Sequence, residues 1–143
     1  MCTRPYGMGF ADDMQARLHA FAMGSVRFTR TLPRTDEGCD WGKQLRRAST
    51  ASSAIYRASR RGKSKADWLD KIADCVEELD ECDYWFSVIQ DARLVSPLKE
   101  LRSEAIELRA ILATSLATGR ANERRRKEEK RRSGRPRRPD EPR

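Results

Sequence analysis

The sequence predicts an all-α fold, an antiparallel up-down-up-down four-helix bundle followed by a basic, largely disordered C-terminal tail. Two observations predict it. Apolar residues recur at helical spacing in four segments, and the links between these segments are short enough to make neighbouring helices antiparallel. We expect a flexible N-terminus over residues 1–11, the bundle over 12–119 and the tail over 120–143.

The first two helices are predicted from their apolar stripes and their ends. Helix one is expected from Asp12 to Leu32, because Pro33 disfavours helix at the residue before it. Helix two begins after Thr35, a suitable N-cap, and ends near Gly62, which fits the C′ position. Residues 48–54 of its face are all Ala, Ser or Thr. Such small side chains allow a neighbouring helix to approach closely.

The third and fourth helices have equally clear starts. Ser64 and Asp67 form an [ST]-x-x-[DE] start signal, and the helix is expected to reach about Leu94. It carries two overlapping apolar stripes, which indicate either a wide apolar face or two packing partners. Ser96 and Pro97 are typical of the N-cap and first position of the fourth helix.

The positive charge is concentrated at the C-terminus. The chain has 143 residues and a net charge of +8, from 30 Lys or Arg and 22 Asp or Glu. Residues 120–143 hold 12 of the basic residues and 5 of the acidic ones, which leaves residues 1–119 nearly neutral. Three i,i+4 opposite-charge pairs could support helix from Ala121 to Arg132. Prolines at 136, 139 and 142 forbid a continuous helix beyond Ser133, so we expect disorder there.

Composition excludes several classes of protein. No run of about 20 apolar residues is present, and the N-terminus has no apolar segment typical of a signal peptide. The four cysteines form no CxxC pair, and the sequence has only one histidine that could serve as a further metal ligand. We therefore expect no metal site and no cofactor. We interpret the cysteines as reduced thiols in a cytoplasmic protein, with Cys75 and Cys82 as small core residues.

Catalytic signals are weak, and we expect no enzyme. The chain lacks a nucleophile elbow, a P-loop and a glycine-rich dinucleotide motif. A hydrolase that uses His19 and a cysteine stays a minor alternative. The acidic run from Asp74 to Asp83 suggests either metal binding or a solvated or partner-facing helix face. Because Asp83 falls in an apolar stripe, we expect it to be partly buried and paired with an arginine of helix two.

Two basic sets are candidates for contacts with nucleic-acid phosphates. The first, in the body, is Arg57, Arg60, Arg61 and Lys65. It belongs to a wider basic cluster on and just after helix two that also includes Arg46, Arg47 and Lys63. The alternative for this cluster is a solvated helix end with salt bridges to Asp67 and the acidic third helix. The second set lies in the tail, where the alternative is a solubilising segment: Arg124, Arg125, Arg126, Lys127, Lys130, Arg131 and Arg132. Either set would bind by counterion release, without sequence preference and with steep salt sensitivity.

The segment from Leu32 to Phe86 resembles a known family. It contains Leu32-Pro33-Arg34-Thr35-Asp36-Glu37, Gln44-Leu45-Arg46-Arg47-Ala48, Tyr56-Arg57-Ala58, Lys63-Ser64-Lys65-Ala66-Asp67-Trp68 and Glu78-Leu79-Asp80-Glu81-Cys82-Asp83-Tyr84-Trp85-Phe86. These are similar to motifs of the bacterial four-helix-bundle family often encoded by intervening sequences in 23S rRNA genes. The accessory variability protein of diversity-generating retroelements is a more distant relative.

The resemblance implies an up-down bundle that assembles as a ring, often a homopentamer, and nucleic-acid binding is suggested for the retroelement relatives. This sequence departs from the family pattern at Ile55 and Ala58, where the family has Asn and Glu, and the basic tail is not a family feature. We expect the apolar face of helix three to make the oligomer contacts, through Trp68, Cys75, Cys82 and Trp85.

The sequence therefore predicts a non-enzymatic, oligomeric bundle that binds RNA or DNA non-specifically through phosphate contacts. An alternative is a protein-interaction scaffold or accessory subunit, whose acidic third helix binds a protein and whose tail only aids solubility.

Overall fold

The chain folds into four helices and, within residues 9–95 and 99–134, no strand. A computed structural model describes those two ranges. The helices are α1 (Phe10–Thr29), α2 (Asp36–Ser59), α3 (Lys65–Asp91) and α4 (Lys99–Ser133). The predicted all-α bundle is confirmed. Three predictions lie outside the described residues. They concern the helix start at Ser96 and Pro97, the state of Cys2, and disorder of the proline-containing C-terminal end.

The helices follow one another around the bundle. Neighbours in sequence pack against each other, while α1 and α4 share the smallest of the four helix–helix interfaces. Antiparallel order is visible in the paired side chains. Asp12 at the start of α1 meets Arg60 at the end of α2, and Asp83 near the end of α3 meets Arg102 near the start of α4. Consecutive connections therefore lie at opposite ends of the bundle.

Two predicted N-caps are confirmed. Thr35 Oγ1 accepts a hydrogen bond from Gly38 N at 3.2 Å, and Ser64 Oγ accepts one from Asp67 N at 3.1 Å. Each bond satisfies a backbone donor that the first helical turn leaves free. α1 begins at Phe10 and ends at Thr29, slightly ahead of the predicted bounds at both ends.

The C-terminal ends of α2 and α3 differ from the prediction. The C-cap of α2 is Arg60 in a right-handed conformation, and Gly62 lies two residues beyond it, so the C′ assignment of Gly62 is wrong. The left-handed residue occurs after α3 instead, where Arg93 has φ 55°. Arg93 N donates to Gln90 O at 2.9 Å and Leu94 N to Ile89 O at 3.2 Å, the Schellman pattern.

The core is centred on α3. Its fully buried side chains alternate at helical spacing, and Phe86 reaches α1, where its ring centroid lies 6.4 Å from that of Phe21 and 5.8 Å from that of Phe28. The buried set on α3 is Ile72, Cys75, Leu79, Cys82, Phe86 and Ile89. This helix therefore connects three elements through one apolar face.

The two apolar stripes of α3 correspond to two partners inside the same bundle. Towards α2, Cys75 Sγ donates to Ser52 O at 3.3 Å. Towards α4, Leu69 packs against Gly119. A Cβ added to Gly119 would lie only 2.8 Å from Leu69 Cδ2. The two stripes of α3 are therefore packed mainly against α2 and α4 of the same bundle.

The assignment of Cys75 and Cys82 to an oligomer interface is wrong. Both are 0% exposed, so neither can contact another copy while the bundle is folded. Burial raises the pKa of the Cys75 thiol to about 12 and also raises the pKa of Cys82. Their prediction as core residues is confirmed. Trp68 and Trp85 are half-buried and pack against the core of their own bundle.

The small residues of α2 do allow close packing, and their hydroxyls are satisfied locally. Ser52 Oγ donates to Ser49 O at 2.8 Å and Ser59 Oγ to Tyr56 O at 2.7 Å, although both serines are buried. Ser25 on α1 differs, because its Oγ is buried and has no hydrogen-bond partner among residues 9–95 and 99–134. A buried hydroxyl without a partner destabilises the folded state by its desolvation.

Substitution of this hydroxyl should stabilise the bundle. We expect Ser25→Ala to raise the free energy of unfolding by about 1 kcal/mol, because it removes an unsatisfied polar group and improves helix propensity. Urea denaturation followed by circular dichroism measures this. The matched control is Ser52→Ala, which removes a bonded hydroxyl. Equal effects of the two substitutions would contradict the assignment of Ser25 Oγ as unsatisfied.

Candidate nucleic-acid interface

The helix order brings the two basic sets to one end of the bundle. The α2–α3 turn lies beside the first turn of α1, where Arg60 meets Asp12. α4 leaves the bundle at the same end, since Gly119 packs on Trp68 and Leu69 of the first turns of α3. We call this the basic end. It comprises residues 57–65 and the α4 segment 120–133, which we call the arm.

Three cations of the body set line a groove between α1 and α2. Arg57, Arg60 and Arg61 surround Gln15 there. The groove continues along α1 past His19, opposite Ser53, as a cavity of about 420 Å³. Asp12, Gln15 and His19 follow each other at spacings of three and four, so they share one face of α1. The sequence contained this spacing, but nothing in it indicated that the face would meet α2.

Arg60 has a structural role within this groove. Its Nη2 donates to Asp12 Oδ1 at 2.6 Å and its Nη1 to Gln15 Oε1 at 2.9 Å. For the basic cluster on and after helix two, the predicted ion pair with Asp67 is wrong, whereas the predicted pairing with the acidic third helix is confirmed for Arg47, which meets Glu78 and Glu81. Asp67 instead accepts from Lys71 and from Lys63 N, and these bonds lower the pKa of its carboxyl. Arg57 and Arg61 are exposed and form no ion pair with any described residue.

Lys65 lies at the basic end but outside the groove. It is the first residue of α3, and its Nζ is 4.1 Å from the ring centroid of Trp68. This cation–π contact holds the ammonium group near the exit of α4 while leaving the side chain exposed. The structure therefore brings Arg57, Arg60 and Arg61 together and places Lys65 on a neighbouring surface.

The arm continues α4 as a helix to Ser133, as the sequence allowed. All of its cations are exposed, and within the described chain the three predicted i,i+4 ion pairs of the arm do not form. The energy gained by such pairs at an exposed helix surface is small, so water competes effectively. Arg125 Nη2 donates to Asn122 Oδ1 at 2.7 Å. The other tail cations, at 135, 137, 138 and 143, lie outside the described residues.

The arm leaves the bundle from a closely packed site. Gly119 is the last buried residue of α4, and an added Cβ would lie 2.9 Å from Trp68 Cζ3 as well as 2.8 Å from Leu69 Cδ2. Both distances are shorter than side chains tolerate without a shift. The absent side chain at 119 therefore sets how closely α4 approaches α3, and with it the direction of the arm.

The acidic residues of α3 are largely used inside the bundle. Asp83 is half-buried and pairs with Arg102 at 2.7 Å and with Arg109 at 3.8 Å, both from α4, so the predicted partner from helix two is wrong. The arginine that α2 supplies is Arg47, which pairs with Glu78 and Glu81. Its hydrogen bond lowers the pKa of Glu81. α4 packs on one side of α3 and α2 on the other. This arrangement explains why Asp83 pairs with arginines of α4, whereas Glu78 and Glu81 pair with Arg47 of α2.

The described residues contain no group of three or more His, Cys, Asp or Glu arranged to hold a metal ion. None of the described helices combines the length and apolar character needed to span a membrane.

Comparison with known proteins shows similarity in fold. No family model matches the chain, and no curated protein matches it. The structure is similar to the crystal structure of a protein of unknown function from the S23 ribosomal protein family of Bacteroides thetaiotaomicron VPI-5482. The TM-score is 0.70 at 18% identity, and the alignment covers 75% of this chain and 97% of that chain. The four-helix bundle is therefore shared, and about a quarter of this chain has no counterpart in that protein.

A larger side chain at residue 119 should separate α4 from α3. We expect Gly119→Val to lower the free energy of unfolding by about 1–3 kcal/mol, because the added carbons meet Trp68 and Leu69. The control is Thr118→Val, an exposed neighbour with similar helix propensity. Chemical denaturation of both variants measures the difference. A decrease of the same size in Thr118→Val would show that packing at Gly119 is not the cause.

Proposed function

We propose that this chain is a non-enzymatic, self-associating bundle that binds RNA or DNA through phosphate contacts at its basic end. The observation that carries the proposal is the convergence of two basic sets, distant in sequence, at one end of the fold. A solubilising charge needs no such convergence. A phosphate backbone, by contrast, extends over many ångströms and is contacted at several points at once.

The arm supplies most of the uncompensated charge. Residues 120–133 contain eight Lys or Arg and three Glu. Because these cations have no internal ion pairs in the described chain, phosphates can replace their counterions without breaking existing contacts. Release of those counterions is the main driving force for non-specific binding and makes the affinity fall steeply with salt.

The groove between α1 and α2 adds a second contact area. Arg57 and Arg61 are exposed and free to meet phosphate, while Arg60 is fixed by Asp12 and Gln15. Exposed arginine can bind a phosphate group in a bidentate manner, which positions a nucleic acid without reading its sequence. We therefore assign Arg57 and Arg61 to binding and Arg60 to the shape of the groove.

Absence of catalysis is part of the proposal. Burial keeps the thiols of Cys75 and Cys82 protonated, so they are poor nucleophiles. Cys39 is exposed but lies in the first turn of α2, whereas His19 lies opposite Ser53. Cys39 and Ser53 are fourteen positions apart, which corresponds to roughly 21 Å along the helix. A hydrolase built on His19 and one of these cysteines has no support in this arrangement.

Membership of the 23S rRNA intervening-sequence family is also proposed. It is supported by the motifs between Leu32 and Phe86 together with the shared fold of the neighbour from the S23 ribosomal protein family. The relation to retroelement accessory proteins rests on the sequence resemblance. We also propose a reducing, cytoplasmic location, which is supported by the free thiols of Cys39, Cys75 and Cys82 in the described part of the chain.

Self-association, as a homo-oligomer and by resemblance a pentamer, needs a surface other than the buried face of α3. The outer face of α4 supplies uncharged exposed residues: Ser103, Ile106, Ala110, Thr114 and Ala117. Charged residues are depleted at the centre of protein interfaces, and this face shows that depletion. An oligomer would place several arms in one particle and strengthen weak contacts through avidity.

The scaffold alternative is less favoured, because four acidic residues of the third helix are already paired within the bundle, although Asp74 and Glu77 are exposed and form no ion pair with a described residue. Glu78, Asp80, Glu81 and Asp83 pair with arginines of α2 and α4. The nucleic-acid proposal uses cations that the fold leaves unpaired, and we prefer it for that reason.

Removal of positive charge from the basic end should weaken binding, and each phosphate contact that is lost should lower log K further. We expect Arg124→Gln, Arg125→Gln and Arg126→Gln together to reduce affinity for generic RNA and duplex DNA by about tenfold or more at low salt. The slope of log K against log salt should decrease by up to about three. Fluorescence anisotropy over a salt series measures both quantities. Arg57→Gln with Arg61→Gln should give a smaller decrease.

The control removes the same charge at the opposite end of the bundle, through Arg27→Gln, Arg30→Gln and Arg34→Gln. It should leave binding nearly unchanged. An equal decrease in the control would show that the affinity depends on net charge and not on the position of the basic end. Failure of the full chain to bind either nucleic acid at low salt would overturn the proposal.

Self-association has its own test. Light scattering of the full chain should give a mass several times the monomer mass of 16.5 kDa. Ile106→Glu should shift the mass towards the monomer, because it introduces a charge at the uncharged face of α4. A monomeric wild-type chain would contradict this part of the proposal.

A further inference from the structure

The arm is a helix without a packed face. Beyond Gly119 no residue of α4 is buried, yet the helix runs without interruption to Ser133. Helices that lack apolar contacts are marginal in isolation, so the arm depends on continuity with the packed part of α4 for its nucleation. Its fourteen residues correspond to a rod about 21 Å long.

The bundle fixes the direction of this rod. Gly119 lies against Trp68 and Leu69, one residue before the arm begins, and no proline or glycine interrupts residues 120–133. The arm is therefore a straight extension of α4 that projects past the first turn of α3.

Cations cover more than one face of the arm. At about 100° per residue, the basic residues fall into three rows around the helix. These rows are Arg120, Arg124, Lys127 and Arg131; Arg125 and Arg132; and Arg126 and Lys130. A helix that lay on the outside of a nucleic acid would need one basic row. Rows on several faces suit a site with phosphates on both sides of the helix.

We propose that the arm binds lengthwise in the major groove of B-form duplex DNA. This inference rests on the proposed function and narrows its ligand to one class. The B-form major groove is about 12 Å wide and admits an α-helix, whose diameter with side chains is about 10–12 Å. Both walls of that groove carry phosphates, which the separate basic rows of the arm can reach at the same time.

Duplex RNA presents a different shape. The major groove of an A-form helix is deep and narrow, and side chains cannot read it. A flexible basic tail would bind both duplexes with similar affinity, because counterion release depends on the phosphates neutralised and not on the groove. A helical arm discriminates between them. A preference for duplex DNA over duplex RNA therefore depends on the helical conformation of the arm. It can be tested by changing that conformation while the net charge stays the same.

Asn122 offers a test that changes conformation and leaves every charge in place. It is exposed and lies in the first turn of the arm, ahead of seven of its eight cations. Asn122→Pro should break the helix at the start of the arm, because proline removes a backbone donor and clashes with the preceding turn. The matched control, Asn122→Ala, also removes the bond to Arg125 but favours helix.

Binding is measured by anisotropy with a 20-base-pair DNA duplex and an RNA duplex of the same sequence at fixed low salt. We expect the wild-type chain and Asn122→Ala to bind the DNA at least tenfold more tightly than the RNA. Asn122→Pro should lose at least fivefold in affinity for DNA and should bind RNA as before. Far-UV circular dichroism and the thermal midpoint check that its bundle is folded.

A second variant, Ala121→Gly with Asn122→Gly, weakens the helix more gently and should give an intermediate decrease in affinity if the proline variant does not fold. Equal binding of DNA by the proline and alanine variants, or equal binding of the two duplexes by the wild-type chain, would overturn the major-groove proposal and leave nucleic-acid binding intact. Absence of binding to both duplexes would overturn the proposed function itself.

Discussion

The structure depends on the burial of α3 against its neighbours. Ile72, Leu79 and Phe86 are at most 1% exposed, and the face that they form meets α1, α2 and α4. Burial of each large apolar side chain contributes roughly 1.5–3 kcal/mol, so this face dominates the stabilisation of the fold. Close approach on its two flanks requires small residues opposite, namely Ser52 on α2 and Gly119 on α4.

Packing of α3 also determines which charges remain free. Arginines from α2 and α4 flank the helix and pair with its carboxylates, as Arg47 does with Glu81 and Arg102 with Asp83. These pairs neutralise four carboxylates of the third helix within the bundle, those of Glu78, Asp80, Glu81 and Asp83. The cations at the basic end have few acidic neighbours by comparison, and Arg60 with Asp12 is the main exception. A basic surface at one end is the consequence, and the proposed binding of a polyanion depends on it.

Much of this fold was accessible from local sequence signals, while pairings between helices were not. The caps at Thr35 and Ser64 and the buried stripes depend on residues within one or two turns, so they were predicted correctly. The partner of Asp83 and the location of Cys82 depend on which helix lies on which flank of α3. Hydrophobic periodicity identifies an apolar face but does not identify what covers it. For that reason the interface assigned to Cys75 and Cys82 was wrong.

The sequence by itself determined the four helices, their short connections and the concentration of positive charge after Gly119, because each follows from nearest neighbours along the chain. Tertiary structure decided that the α2–α3 turn and the exit of α4 share one end, and that the arm leaves as a directed helix. These properties depend on contacts between residues 12 and 60 and between 68 and 119. Contacts so distant in sequence form only when the helices pack around a common core.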